Sequence, residues 1–289
     1  MKIKRFFVFL LLICLTSLFY AQDLSAYKLY DKSGKEVTFA KMIETLGDRD
    51  AVLLGELHNN PISHWMHFEM IKSLSKERED LYIGFEMLET DDAELVREYS
   101  HGVIREKDFL NQARLWPNHK TDYQPLIKYA VEQGYHIKAT NVPRRYASLV
   151  AREGLQALDS LSNTAKRYLP PLPIAFDPKA PEYAAMMEMM QGHGQMSGQN
   201  MAKAQALKDA TMAWFLIQNI KSGSLIFHKN GDYHSADYGG IYRYLKLYNP
   251  NLKVATFSTV ISENGTWNED FEGRADFILV VTDTMTKTH

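Results

Sequence analysis

The chain has 289 residues, with 33 lysines and arginines against 35 aspartates and glutamates and a formal net charge of −2. That length suits one large domain with a sizeable core, and the balanced charge argues against nucleic acid as a partner. Cys14 is the only cysteine, so neither a disulfide framework nor a thiolate metal site is available.

Lys2, Lys4 and Arg5 precede an almost wholly apolar run over residues 6–19, and Ala21 offers a small residue for cleavage. This is the pattern of a signal peptide over 1–21, with a mature chain over 22–289 exported to the periplasm or the outer membrane of a Gram-negative bacterium. The run is short for a membrane span. Cys14 lies inside it behind the bulky Ile13, a poor setting for lipidation.

A first buried strand is predicted over 51–54, and it delivers Glu56 and His58 at its exit. Asn60 and Pro61 then supply a side-chain cap and a first-turn proline for a helix over 61–74, on which His64 and His67 lie three apart and face one way. The next strand, 81–85, delivers Glu86. Helices over 91–99 and 123–133 follow, the latter ending at Gly134, and a strand over 136–139 delivers Asn141. A helix over 144–152 ends at Gly154.

The proline-rich stretch 169–173 breaks this alternation, and residues 163–201 read as a helical insertion or lid. It carries Met186, Met187, Met189, Met190, Met196 and Met201, which serve either as core filler or as a soft wall against a flat apolar ligand. His193, between two glycines, is either a mobile ligand on that lid or a solvated loop residue. A helix over 199–220 leads to a strand over 224–227, which delivers His228 and Asn230 with Tyr233 and His234 close behind. A helix over 241–247 and strands over 253–257 and 277–281 complete the chain. Alternation of this kind specifies an α/β fold, a mostly parallel sheet flanked by helices on both faces with a small helical subdomain.

Ligands of open parallel sheets bind beyond the carboxyl ends of the strands, where this chain gathers its polar groups. Two carboxylates and several imidazoles there can hold a divalent metal, act as an acid/base pair, or simply satisfy one another. His-Glu-x-x-His, Gly-x-Ser-x-Gly and phosphate-loop motifs are all missing, which counts against common zinc peptidases, serine hydrolases and nucleotide enzymes. Among the aromatic residues, Trp65, Trp116, Tyr123, Tyr146, Tyr233, Tyr238 and Tyr242 fall near the expected site, and a tyrosine oxygen can serve haem iron as an axial ligand.

Residues 52–58 (Val-Leu-Leu-Gly-Glu-Leu-His), 84–87 (Gly-Phe-Glu-Met), Trp116 with Tyr123, 139–144 (Ala-Thr-Asn-Val-Pro-Arg), 205–213 and 228–234 (His-Lys-Asn-Gly-Asp-Tyr-His) together resemble, in order, the ChaN-like haem-binding uptake proteins. These are grouped with Tiki proteases and erythromycin esterases in a superfamily marked by a Gly-Glu-x-His strand end. The resemblance implies haem as cofactor, a role in haem or iron uptake at the cell envelope, an outer-membrane haem receptor as partner, and a homodimer that stacks two porphyrins. Under that reading haem is contacted by some of His58, His64, His193, His228, Asn230, Tyr233 and His234. The superfamily's hydrolytic members imply a different use: Glu56, His58, Glu86 and His234 as a catalytic set that holds a divalent transition metal or activates water, with His228 and Asn230 orienting substrate.

Overall fold

The computed structural model describes residues 25–76, 78, 80–190, 195–218 and 220–289. The expected signal peptide over 1–21 and His193 lie outside the described residues. In chain order the strands are β1 (Tyr27–Asp31), β2 (Ala51–Glu56), β3 (Leu81–Glu89), β4 (His136–Asn141), β5 (Leu225–Gly231), β6 (Val254–Ser262) and β7 (Phe277–Thr282). The helices are α1 (Phe39–Leu46), α2 (Pro61–Leu74), α3 (Ala93–Ser100), α4 (Glu106–Gln112), α5 (Gln124–Gln133), α6 (Arg144–Glu153), α7 (Asn163–Lys166), α8 (Pro181–Met189), α9 (Gln195–Ile217) and α10 (Gly240–Tyr248). Among the described residues no helix is long and apolar enough to cross a membrane.

The strands form one seven-stranded sheet in the order β1-β7-β6-β2-β5-β3-β4. Every pairing is parallel except that of β1 with β7. All six predicted strands are present, and the α/β architecture is the expected one. The unpredicted β1 is a half-buried edge strand whose Lys28 and Asp31 interrupt any apolar run. The strands also run further than their apolar stretches suggest. Glu56 is still in register with Gly231, so the first polar groups stay in the ladder.

Because successive side chains on a strand point to opposite faces, the sheet sorts its residues into two cores. Val52, Leu54, Phe85 and Phe227 pack with Met66, Met70 and Ile71 of α2 and Leu126 and Ile127 of α5. Leu53, Tyr82 and Ile226 pack on the other face with Val150 of α6, Leu207 and Leu216 of α9 and Ile241 of α10. Burying each such large side chain contributes about 1.5–3 kcal/mol.

Asn60 starts α2 as its residue type demands, its Oδ1 accepting from the Ser63 amide at 3.1 Å, with Pro61 in the first turn. Gly134 and Gly154 close α5 and α6 at φ of 74° and 84°, a region that side chains disfavour. The described residues within 163–201 include the short helices α7 and α8 and the start of α9. Their methionines divide: Met186 and Met187 pack against the α9 core, whereas Met189 is 81 % exposed and Met201 41 %.

Candidate functional site

The strand exits carry two charged networks, one on each face of the sheet. On β5, alternation sends Phe227 and Lys229 toward α2, and His228 and Asn230 toward α9. On β2 the same rule turns Glu56 toward α2, so a buried carboxylate and a buried lysine meet there. Lys229 Nζ lies 2.7 Å from Glu56 Oε2, and both side chains are essentially inaccessible, at 1 % and 0 %.

His64 and His67 complete this face. Lys229 Nζ is 2.8 Å from His64 Nδ1 and 3.4 Å from His67 Nδ1. The ammonium therefore has two imidazole acceptors beside its ion pair with Glu56. Accepting at Nδ1 requires both imidazoles to be neutral. Burial and the adjacent Lys229 charge do keep them so, His64 near a pKa of about 4 and His67 well below its ordinary 6.5. The remaining His64 nitrogen, Nε2, donates to the His58 carbonyl at 3.0 Å.

Glu56 collects further donors at Oε1: the Tyr123 hydroxyl at 2.6 Å and His58 Nδ1 at 2.9 Å. Burial alone would raise its pKa, but Lys229 and the imidazoles outweigh burial and hold it well below the usual carboxylate range. Asn118 ties the adjoining loop down, its amide donating to the His58 carbonyl at 2.8 Å and to Asp122 at 2.7 Å. Beyond β7 the chain returns to this edge, where Thr288 binds the Asn59 carbonyl and the Asp122 carboxylate.

On the opposite face Glu86 follows Phe85 and so turns toward α9. Its Oε2 accepts from the Gly231 amide at 2.7 Å, and its Oε1 lies 3.2 Å from His234 Nε2. The other His234 nitrogen, Nδ1, meets Asp209 Oδ1 at 2.5 Å, and Asp209 also accepts from the Tyr183 hydroxyl at 2.8 Å. Burial disfavours charge on His234, yet Glu86 and Asp209 raise its pKa to about 10. Glu86, pushed up by burial and down by His234, settles near about 2. His234 is therefore an imidazolium clamped between two carboxylates.

His58 stands at the edge between these networks. Its side chain is 39 % exposed, whereas the side chains of His64 and His234 are each 7 % exposed. Its ring packs edge-on against Trp116 at 4.9 Å, and its Nε2 side approaches Gly231 so closely that a Cβ there would sit 2.7 Å from Nε2 and 3.5 Å from Glu86 Oε2. Gly231 thus keeps open the notch where His58 and Glu86 come together. Gly55 is required by a similar crowding, since a Cβ would fall 2.6 Å from Asp232 Oδ1 and 2.8 Å from the Phe257 carbonyl.

His228 and Asn230, expected to contact haem or substrate, are fully buried. His228 Nε2 pairs with Thr140 and Nδ1 with Asn230, while the Asn230 amide reaches Ser235. They brace the turn that carries His234. Tyr233 is 42 % exposed and donates to the Glu182 carbonyl of α8 at 2.5 Å. Asn141 donates to the Glu86 carbonyl. Glu56, His58, Glu86 and His234 do not assemble into a metal group, and no cluster of three or more potential ligands exists among the described residues. The physical reason is that a lysine ammonium occupies the cation position beside Glu56, and a protonated His234 occupies the one beside Glu86.

Lys229, Asp209 and Gln205, whose amide nitrogen lies 3.0 Å from His234 Nδ1, fall within the 205–213 and 228–234 segments of the resemblance, but reasoning from the sequence gives them no role in the site. The available signals are a lysine inside an otherwise buried strand and one aspartate among the buried Ala206, Leu207, Ala210 and Ala213 of α9.

The chain shares its fold with the ChaN protein of Campylobacter jejuni, which binds haem cofacially: the TM-score is 0.67 and identity 17 %, over 88 % of this chain and 96 % of that one. A Bacillus cereus protein is similar at a TM-score of 0.49 and 10 % identity, over 89 % of this chain and 95 % of that one. An erythromycin esterase mutant in its open conformation is similar at 0.46 and 10 %, over 83 % and 78 %. No curated protein matches by sequence. The family described as haem-binding uptake, Tiki superfamily, ChaN, matches over residues 42–245, and the chain belongs to that family.

Proposed function

We propose that this chain is an exported haem-binding protein of bacterial haem or iron uptake, with His58 as its iron ligand. The observation that carries the assignment to His58 is the single hydrogen bond on its ring. Nδ1–H donates to Glu56, which fixes the tautomer and leaves the Nε2 lone pair available, the arrangement that orients histidines toward metals. His64, His67 and His234 have no such freedom, being buried and engaged with Lys229 or with carboxylates. Haem also needs an apolar face. The Trp116 ring against His58 supplies an aromatic rim to one. Bound haem would supply an iron centre to be carried, and His58, Glu56 and the aromatic rim would hold it.

Hemin added to the purified protein is expected to give a saturable, shifted Soret band, which His58→Ala abolishes while the far-UV circular dichroism is unchanged. Saturation at one haem per chain fits both a monomer with one haem and a dimer with a cofacial pair, and the mass of the loaded species distinguishes the two. Burial would lower the His58 pKa, but Glu56 and Glu86 raise it above 6.5. Because a proton and iron compete for Nε2, the shifted band should fade as the pH drops through that raised value. A spectrum identical to free hemin, or one unaltered by His58→Ala, would overturn the assignment.

A second reading, hydrolysis, draws on the notch beside Gly231, where an imidazole backed by Glu56 faces a second carboxylate, Glu86. There His58 acts as general base on water, oriented by Glu56. Its signature is turnover of a p-nitrophenyl ester that is lost in both His58→Ala and Glu86→Gln. Turnover that persists in either variant removes this reading.

A further inference from the structure

At the edge of the sheet opposite the Glu56 and Glu86 exits, where β2, β6 and β7 begin, there is a cavity of about 410 Å³. Small-molecule sites commonly span about 300–1,000 Å³. Its wall is apolar, made by Val37, Leu46, Ala255 and Phe277, and its polar lining is dominated by cations.

Lys41 is already paired with Glu44 at 2.8 Å. Lys32, Lys35 and Arg49, which also line the cavity, have no carboxylate within salt-bridge distance among the described residues. The cavity's two acids are engaged mainly by other donors, with Lys35 reaching Asp31 only at longer range. Asp31 Oδ1 accepts from the Ser33 hydroxyl and from the amides of Ser33 and Lys35, while Asp276 accepts from the Thr256 amide and the Tyr238 hydroxyl. Arg49 Nε is buried and has no hydrogen-bond acceptor. A buried donor left unpaired is costly, and an unsatisfied cationic donor in a lined cavity asks for an acceptor from outside the chain.

We infer that this cavity is a second binding site, separate from the Glu/His edge, for a small organic anion: an oxyanion, phosphate or carboxylate, on a compact apolar body. The oxyanion accepts from the Arg49 guanidinium, for which no acceptor exists among the described residues, and neutralises Lys32 and Lys35, and the body lies on Phe277 and Val37. A guanidinium fork suits either oxyanion geometry.

Calorimetric titration at low ionic strength with phenyl phosphate and with benzoate tests this, with phenol as the uncharged control. At least one anion should bind saturably at one per chain, and phenol should not; the tighter of the two identifies the oxyanion. Arg49→Met, which removes the unpaired donor and leaves hemin binding untouched, should weaken that anion about tenfold or more. Should Arg49→Met fail to fold, the double variant Lys32→Gln/Lys35→Gln at exposed positions takes its place and should also weaken binding, with a reduced dependence on salt. No saturable binding of either anion, equal binding of phenol, or undiminished affinity in the folded variants overturns the inference.

Discussion

Replacing Lys229 with methionine is expected to destabilise the protein by about 3–5 kcal/mol, the loss that follows when one member of a buried ion pair is removed and the other remains charged. Methionine preserves most of the apolar stem, so packing accounts for little of it. What is left is Glu56, fully enclosed, with Tyr123 and His58 still donating to one oxygen and only the uncharged His64 ring, 3.5 Å away, beside the other. In the wild type its pKa lies well below 4.5, so its stabilising contribution is present above pH 4.5 and is lost only in stronger acid. Without the ammonium, burial raises the pKa instead, and the penalty grows as pH rises from 4.5. Urea denaturation of wild type and Lys229→Met should therefore show a gap that is wide near neutrality and narrows toward pH 4.5. Lys229→Met/Glu56→Gln should recover most of the loss, since a buried amide carries no charge to compensate. A single variant within about 1 kcal/mol of wild type would show that the pair is not the organising contact of this face.

The same pair marks where the sequence stops being legible. Strands β2 to β7 could be read because they are apolar runs bounded by turn signals, and α2 because Asn60 and Pro61 announce its start. The polar exits could be read because Glu56, Glu86 and His234 each follow a buried stretch. What could not be read is which face each exit residue takes. A lysine between His228 and Asn230 looks like a surface residue ending a strand, and only the continuation of β5 to Gly231 in register with Glu56 sends it inward. That extension reverses the expected roles: the two residues singled out are bracing groups on the α9 side, and the one between them neutralises the site. Asp209 was hidden for a related reason. It lies far from the exits in sequence, and its meeting with His234 depends on how α9 crosses the sheet, a fact of packing that no local pattern in α9 encodes.

That meeting governs the alkaline limit of stability. His234 has its folded pKa raised to about 10 from an ordinary 6.5, so its contribution is complete below pH 6.5 and disappears as pH rises through about 10. At 1.36 kcal/mol for each pH unit between those values, the upper bound is about 5 kcal/mol. Glu86 limits the acid side: with a folded pKa of about 2 against 4.5, its stabilisation is present above pH 4.5 and is lost as pH falls toward 2. Lys229, its pKa lowered by burial against the pull of Glu56, acts in the opposite sense at alkaline pH, so the wild-type curve alone cannot isolate His234. Comparison with His234→Gln can, because Lys229 is common to both proteins. Glutamine leaves Glu86 and Asp209 facing each other across a neutral side chain, so the variant should be several kcal/mol less stable near neutrality. The gap should then close steadily in urea denaturation at about pH 6, 8 and 10, as wild-type His234 gives up its proton. A gap that stays constant over that range would mean that His234 is neutral in the fold, and that Asp209 and Glu86 do not share a cation between them.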